Sequence, residues 1–360
     1  MGSQVGGGSR RVSMKEIAKK VGVSQSTVSR ILSGAPIKVP VALETRQRIM
    51  QAVKELGYRP NPLARGLRGG GTGLLGLIVR EVGDPFFACA IDVIAREARL
   101  HDYSLVLGHA HGSADEALAL TEVLETRHCD GIILLGDIQD ARDVWGDLIR
   151  ASIPLIGLCQ GNRAPGIPTI NADNKLGVTL ALDYLFELGH RDVAYIDAGS
   201  LGDIADRQAA YLEWMDHHHI AVREGRKQPG DNEPGSGVLA FERLMALHEP
   251  PTAVLCATDQ IALGVLSAAA KLQVNVPGYI SVVGFDDIPI GRFAVPSLTT
   301  VRQPIDNMAR LALAELLKVI RREEGQVQQL QLCEPQLIVR DSSGPSARPN
   351  STAHMRARAG

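Results

Sequence analysis

The strongest constraint on the fold lies near the start of the chain, in residues 12–33, which read VSMKEIAKKVGVSQSTVSRILS. Ser13 followed three residues later by Glu16 matches a capping box, so a helix is predicted to begin directly after Ser13. Gly22 ends that helix in a turn, and Ser24 is a good N-cap for a second helix. Two short helices joined by a tight turn predict a helix-turn-helix, a fold that reads DNA.

The second predicted helix buries one apolar face and leaves four polar side chains outside. These side chains are Gln25, Ser26, Ser29 and Arg30. Gln can contact adenine and Arg can contact guanine in bidentate fashion, while hydroxyls suit phosphates or either base. The free N–H groups at the start of this helix also favour a phosphate. The alternative is a small helical pair whose polar residues are merely solvated.

Two pieces of this stretch, Val12-Ser13 and the run GVSQSTVSR from Gly22 to Arg30, carry a family resemblance. Together they resemble the N-terminal helix-turn-helix motif of the lactose/galactose-repressor family of bacterial transcription regulators. The resemblance implies that Gln25, Ser26 and Arg30 contact bases. It also implies a set of phosphate contacts, namely Ser13, Ser24, Thr27 and Ser29.

A third helix is predicted from Leu43 to Leu56, and the segment that follows reads YRPNPLARGL. Asn61 can cap a short helix there, but the segment is too short to be stable alone, so it is expected to fold only when two copies meet on DNA. The family resemblance implies that Leu67 inserts into the minor groove, with Asn61 and Ala64 close by. A plain linker is the alternative.

Charge is distributed unevenly along the chain. Residues 10–70 hold thirteen Lys and Arg against three acids, or +10, so the remaining residues, with 25 basic and 37 acidic side chains, carry −12. A basic head on an acidic body favours contact with a polyanion through one end, and predicts DNA affinity that falls steeply with salt.

From Leu74 onward, apolar runs alternate with helical segments, which predicts an α/β fold with parallel sheets flanked by helices. The runs are 77–79, 105–107, 132–135, 155–158, 193–196, 253–256 and 280–283. Their number predicts two lobes. Motifs such as Asp84-Pro85-Phe86-Phe87 extend the family resemblance to Ser342, and imply a two-lobed core like that of periplasmic sugar-binding proteins.

The family resemblance also implies an effector site between the lobes, because ligands of such sheets bind beyond the carboxyl ends of the strands. The implied contacts are Phe86, Phe87, Arg207, Thr258, Asp259 and Asp286. Thr258 stands in place of a common Asn, Cys159 in place of a common Asp, and Asp84 in place of a common Asn. Phe86 and Phe87 could instead belong to the core, and Asp259 could cap a helix or brace the cleft.

The predicted domains are a flexible leader (1–11), a helix-turn-helix head (12–58), a hinge helix with linker (59–73), a core (74–341) and a disordered tail (342–360). Within the core, one lobe is predicted to hold 74–172 and 303–333, and the other 173–302 and 334–341. The tail lacks the leucine heptads of a tetramerising coiled coil, so a homodimer that reads a palindrome is expected.

Several functional classes are disfavoured by the sequence. No run reaches the roughly 18 apolar residues of a membrane helix, and the start lacks a secretory signal, so a cytoplasmic protein is expected. The five cysteines lack metal spacing, and His217-His218-His219 is read as a solvated turn. No cofactor and no enzyme activity are predicted.

The sequence thus predicts a DNA-binding transcriptional repressor whose core binds a small metabolite such as a sugar, polyol or nucleoside. Two other classes stay open at this point. They are an architectural DNA-binding protein without a metabolite response, and a solute-binding protein.

Overall fold

The structure is a computed structural model that describes residues 12–33, 41–58, 71–138, 141–161, 166–199, 202–323 and 328–347, with the backbone alone at 33 and 141–145. The chain divides into two compact units, one up to Gly73 and one from Leu74 onward. Within the described residues, no helix is both long enough and apolar enough to cross a membrane.

The first unit consists of three helices. They are α1 (Met14–Val21), α2 (Gln25–Ser33) and α3 (Leu43–Glu55). The predicted capping box is present, because the Ser13 hydroxyl accepts from the Glu16 N–H while the Ser13 N–H donates to the Glu16 carboxylate at 2.6 Å. Gly22 ends α1 with a φ of +75°, a backbone conformation that glycine adopts at low cost.

A small apolar core holds these helices together. It is built from one face of each helix and a tyrosine after α3, and comprises Ile17, Ala18, Val21, Val28, Ile31, Ile49, Ala52 and Tyr58. Arg48 adds a hydrogen bond from α3 to the carbonyl of Val21 at 2.7 Å. This packing fixes α2 while its polar side faces outward.

The first sheet of the second unit is entirely parallel, in the order β11-β5-β4-β3-β1-β2. Its strands are β1 (Leu74–Val79), β2 (Ser104–His109), β3 (Gly131–Leu135), β4 (Leu155–Leu158), β5 (Thr169–Ala172) and β11 (Leu330–Cys333). Its helices are α4 (Pro85–Leu100), α5 (Ala114–Thr126), α6 (Ala141–Arg150) and α11 (Ile305–Arg321). Apolar clusters cover both faces of this sheet, and we call this part the N-lobe.

The second sheet has the order β12-β10-β9-β8-β6-β7 and belongs to the C-lobe. Its strands are β6 (Val193–Ile196), β7 (Lys227–Gln228), β8 (Ala253–Cys256), β9 (Ser281–Asp286), β10 (Thr299–Arg302) and β12 (Gln336–Ile338). Its helices are α7 (Asn174–Glu187), α8 (Gly202–His217), α9 (Pro234–Met245) and α10 (Asp259–Lys271), with a 3₁₀ turn at Pro289–Phe293.

The chain passes between the lobes three times, after Ala172, Arg302 and Cys333. The last passage places β12 antiparallel to β10, whereas the sequence predicted purely parallel sheets. The reason is the short connection from Cys333, which brings β12 directly from the N-lobe without the crossover that a parallel neighbour in the same sheet requires.

The core continues past Asp341, where the sequence predicted the start of a disordered tail. Ser342 is fully buried, and its hydroxyl donates to the carbonyl of Val282 at 2.6 Å while accepting from the Thr299 N–H at 2.8 Å. The Ser346 N–H also donates to the carbonyl of Leu188. These polar residues are ordered because buried hydrogen bonds satisfy them, a circumstance that composition does not reveal.

Candidate DNA-binding surface and ligand cleft

The outward face of α2 carries the side chains that the sequence assigned to base contacts. Gln25, Ser26 and Arg30 are exposed, and Ser29 is half-buried. Because α2 is anchored by the buried side chains of Val28 and Ile31, these polar groups project from a fixed support. Such a surface can enter a major groove and hydrogen-bond base edges.

A group of hydroxyls lies at the start of α2. The Ser24 hydroxyl accepts from the Thr27 N–H at 3.1 Å, as expected of an N-cap. It also lies 2.7 Å from the Ser26 hydroxyl and 2.8 Å from the Thr27 hydroxyl. Ser13 is exposed at the equivalent end of α1, where it caps the helix. Two helix N-termini with exposed hydroxyls are chemically suited to phosphate oxygens.

The three hinge residues that the resemblance implied, Asn61, Ala64 and Leu67, lie outside the described residues. Their expected contacts with the minor groove stay predictions.

Arg207 of α8 occupies the cleft between the lobes and is only 2% exposed. Its Nε donates to Asn174 Oδ1 at 2.9 Å, and its Nη1 donates to the Ala257 carbonyl and to Asp286 Oδ1. Its Nη2 donates to Asp203 Oδ2 at 2.9 Å. The resemblance implied an arginine that offers its hydrogen-bond donors to a ligand, but here most of these donors bind the protein itself.

Asp286 ends β9 and faces Arg207 with a separation of 3.1 Å between Oδ1 and Nη1. Gln303, which follows β10, donates to the same oxygen at 2.7 Å. Burial raises the pKa of Asp286 to about 7, with Arg207 acting against this rise and the negative charges of Asp84 and Asp203 adding to it. Near neutral pH this carboxyl therefore gains or loses a proton easily.

The backbone is strained at this point, because Asp286 and its neighbour Asp287 have φ values of 116° and 57°. Non-glycine residues rarely adopt such values, and strain of this kind persists where the surroundings hold it in place. Asp287 is held by Arg302 at 2.6 Å and Arg340 at 2.5 Å. These ion pairs fix the end of β9 and hence the position of the Asp286 carboxyl.

The two phenylalanines at the start of α4 have different surroundings. Phe86 lines a cavity of about 340 Å³ together with Asp286 and Gln303. Phe87 packs against Gly136, which has no room for a Cβ beside the ring, and the Arg80 guanidinium lies 4.8 Å from the ring centre. The ligand contact of Phe86 thus stays a prediction, whereas the contacts of Phe87 favour the alternative core role.

Thr258 and Asp259 serve the local structure. Thr258 caps α10 and its hydroxyl donates to Asn232 Oδ1 at 2.8 Å. Asp259 is completely buried, with its carboxylate accepting from the Ile288 N–H and from the Thr300 hydroxyl. These contacts favour the interpretation that Asp259 braces the cleft from behind rather than contacting a ligand.

Asn232 is a cleft residue that the sequence analysis missed. Its Nδ2 donates to Asp84 Oδ2 at 2.8 Å, which joins the C-lobe to the N-lobe. Thr258 and Gln260 hold it on the C-lobe side, the latter by donating to its carbonyl at 3.0 Å. The sequence DNEP around Asn232 looks like an ordinary helix start, so no local signal indicates this role.

Glycines allow a second close approach between the lobes. A Cβ on Gly161, which follows β4, would overlap the backbone of Gly202 at the start of α8. Gly202 in turn leaves no room for a Cβ beside the Asp137 side chain. The lobes can come this close only because neither glycine carries a side chain.

His218, one of three consecutive histidines predicted to lie in a solvated turn, is partly packed. Its ring stacks on Trp214 with centroids 3.8 Å apart, and its Nδ1 lies 2.9 Å from the Trp214 carbonyl. Among the described residues, no group of three potential ligands is arranged to hold a metal ion.

Comparison with known proteins identifies relatives along most of the chain. A family model described as "Bacterial regulatory proteins, lacI family" matches residues 13–61, and one described as "Periplasmic binding protein-like domain" matches residues 182–343. The chain is 34% identical over 319 residues to the HTH-type transcriptional repressor PurR of Erwinia tasmaniensis, covering 87% of this chain and 92% of that protein. It is 33% identical over 342 residues to PurR of Serratia proteamaculans, covering 91% and 96%.

Solved structures of similar proteins show the same arrangement of elements. The Lac repressor dimer bound to operator and the anti-inducer ONPF has a TM-score of 0.83 at 25% identity, covering 93% of this chain and 100% of that one. A complex of the transcriptional regulator CelR with cellobiose has a TM-score of 0.67 at 28% identity, covering 92% and 100%. The predicted fold class and the expectation of a regulator rather than an enzyme are confirmed, and the chain belongs to the lacI family of bacterial regulatory proteins.

Proposed function

We propose that this protein is a cytoplasmic homodimeric repressor that binds a palindromic operator and whose operator affinity changes when a small metabolite binds between the lobes of its core. The observation that carries the proposal is the exposed polar face of α2, which displays Gln25, Ser26 and Arg30 on a capped and well-packed helix. The relatives named PurR are repressors, and the Lac repressor has been seen on its operator.

The proposed domains follow the same scheme: a head at 12–58, a hinge at 59–73 and an effector-binding core from residue 74. The cleft supports a ligand role because Asp286, Phe86 and Gln303 come from three separate segments and line one cavity. Ligand sites in proteins commonly have a volume of this order and are lined by polar groups that converge from separate segments.

The homodimer is supported by exposed apolar side chains in the segment that follows β9. Ile290, Phe293 and Val295 have 54%, 78% and 90% of their surface exposed. Large apolar side chains clustered in this way mark interaction surfaces, and a second copy of the chain is the partner that a palindromic operator requires. The Phe293→Ser variant is therefore expected to shift the dimer towards monomer in sedimentation experiments.

Selection of bound duplexes from random oligonucleotides tests DNA binding directly. The wild-type chain should enrich a palindrome, and Arg30→Ala should lower affinity for that palindrome by about 5- to 150-fold for each half-site, because a bidentate base contact contributes about 1–3 kcal/mol. Arg99→Ala removes the same charge from an exposed site on the core and serves as the control. Equal losses for the two variants would point to general charge attraction and contradict base recognition by α2.

A titration of operator with and without metabolite tests the second half of the proposal. Linkage requires that operator DNA change metabolite affinity by the same factor by which metabolite changes operator affinity. An architectural protein would bind DNA with no such coupling.

A further inference from the structure

A short 3₁₀ turn, Pro289–Phe293, lies between the cavity beside Asp286 and the exposed apolar side chains assigned to the proposed dimer. Residues three apart in a 3₁₀ helix lie on the same side, because one turn takes three residues. Ile290 and Phe293 therefore share one side of the turn, and both are exposed. Arg292 is not aligned with them, and it lines the cavity. The turn thus has a dimer side and a cavity side.

The cavity is lined by both lobes. The N-lobe contributes Phe86 and Cys89 of α4, together with Asp306 and Asn307 of α11. The five residues of the 3₁₀ turn are all described, and among them Arg292 alone lines the cavity. A compound in the cavity, or a change in the distance between the lobes, therefore alters the space available to the Arg292 side chain.

Arg292 is held more loosely than two other arginines around Asp287. Its Nη2 lies 3.8 Å from Asp287 Oδ2, whereas Arg302 and Arg340 pair with the same carboxylate at 2.6 Å and 2.5 Å. These two guanidiniums still compensate the buried carboxylate when Arg292 moves away. More than half of the Arg292 side chain is exposed, and an exposed ion pair contributes little to stability. Arg292 can therefore move at low cost when the cavity is filled.

The backbone around the turn is fastened at defined points. The Ile288 N–H donates to Asp259 Oδ2 at 2.8 Å, just before the turn. The Leu298 N–H donates to the Gly291 carbonyl at 2.9 Å, which closes a loop of residues 292–297. This loop carries the exposed side chains of Phe293 and Val295. A displacement of residue 292 is therefore passed to the apolar side chains of the same loop rather than to the anchored backbone before it.

We propose that this turn couples the cavity to dimer assembly, with Arg292 as the coupling residue. A compound that fills the cavity changes the dissociation constant of the dimer, and the metabolite thereby controls operator binding partly through the number of dimers. The proposal rests on the proposed function and adds a route from metabolite to operator. A palindrome is bound by two heads, so fewer dimers mean lower occupancy of the operator.

The first experiment fills the cavity through Cys89, which is half-buried while the other four cysteines are buried. N-Ethylmaleimide attaches a ring to this thiol, and mass spectrometry of the peptides confirms the labelled position. The dissociation constant of the full-length dimer is measured by sedimentation over a range of concentrations. It should change by at least about fivefold on labelling, the lower end of coupling between two sites. Cys89→Ser, treated in the same way, should show no change on treatment.

Arg292→Ala distinguishes coupling through the turn from direct obstruction of the second copy by the label. This variant should lose most of the change on labelling. Arg223→Ala is the matched control, because Arg223 is also about half exposed on the C-lobe and ion-paired, at 3.4 Å from Asp192, but does not line the cavity. It should respond as the wild type does. An unchanged dissociation constant after complete labelling of the wild type would overturn the proposal, and equal changes in wild type and Arg292→Ala would overturn the role of Arg292.

The second experiment replaces the label with cellobiose, galactose, ribose and inosine. Each compound is tested for a rise in melting temperature and for a change in operator affinity. A compound that changes operator affinity should also change the dissociation constant of the dimer, because linkage acts in both directions. If operator affinity changes and the dimer does not, the coupling is refuted while the proposed function stands. If the label changes the dimer but none of the four compounds changes operator affinity, the coupling stands and the proposed control by such metabolites fails.

Discussion

We predict that the hydrogen bond between Asn232 and Asp84 stabilises the closed form of the core, in which the two lobes are in contact. Asn232→Ala removes the Nδ2 donor that lies 2.8 Å from Asp84 Oδ2. A hydrogen bond to a charged group contributes about 1.5–3 kcal/mol, and the lower end applies because Asn232 is partly exposed. Since 1.4 kcal/mol corresponds to tenfold in an equilibrium constant, the open form of the core should become about tenfold more populated.

Cys159 provides a readout of this opening. Its thiol is 2% exposed in the N-lobe, close enough to Asp203, Arg207 and Asp286 of the C-lobe for their charges to influence it. Burial raises the pKa of this thiol, so it reacts only after the lobes separate. The rate at which a disulfide reagent labels Cys159, followed by mass spectrometry of the peptide, should rise about tenfold in Asn232→Ala.

Asn275→Ala is the matched control, because Asn275 is exposed on the same lobe. The free energy of unfolding should be measured for both variants, so that labelling through global unfolding can be subtracted. An unchanged labelling rate in Asn232→Ala, or an equal rise in the control, would refute the claim that this hydrogen bond restrains the lobes.

Three further predictions concern stability and independence of the two units. Because the raised pKa of about 7 makes the folded chain bind a proton at Asp286 that the unfolded chain releases near 3.8, the free energy of unfolding should fall as pH rises from about 4 to 7. Denaturant titrations should show this slope reduced in Asp286→Asn. Ile49→Ala, which creates a cavity in the core of the first unit, should cost about 2–5 kcal/mol there and abolish operator binding while leaving metabolite binding intact in calorimetry. Ser13→Ala removes the cap of α1 and should lower the melting temperature of the head, detected by circular dichroism, through a loss of about 0.5–2 kcal/mol.

Features encoded by neighbouring residues could be predicted from the sequence. The helices of the head begin and end where Ser13, Gly22 and Ser24 indicate, because caps act within a few residues. The main strands also follow from apolar runs, since a strand of a parallel sheet is covered on both faces and needs little else. Two-residue β7, Lys227–Gln228, has no such run and escaped prediction.

Features that depend on residues far apart in the chain could not be predicted in this way. Asp84 and Asn232 are 148 positions apart, and nothing near either residue indicates that they meet. The roles of Phe87 and Asp259 were open for the same reason, because a phenylalanine or an aspartate in the first turn of a helix that follows a strand can face a ligand or the interior. Only the packing of Gly136 on Phe87 and the partners of Asp259 distinguish these alternatives.

The backbone contact between Gly161 and Gly202 limits how far the two lobes can shut, and the space left there is thinner than one methyl group. The added methyl group of Gly161→Ala would collide with the backbone of Gly202 and would prevent the lobes from closing fully, whatever metabolite is present. Such a variant would convert a responsive regulator into a constitutive one. Whether this variant then binds its operator tightly or weakly would show which state of the core, open or closed, represses transcription.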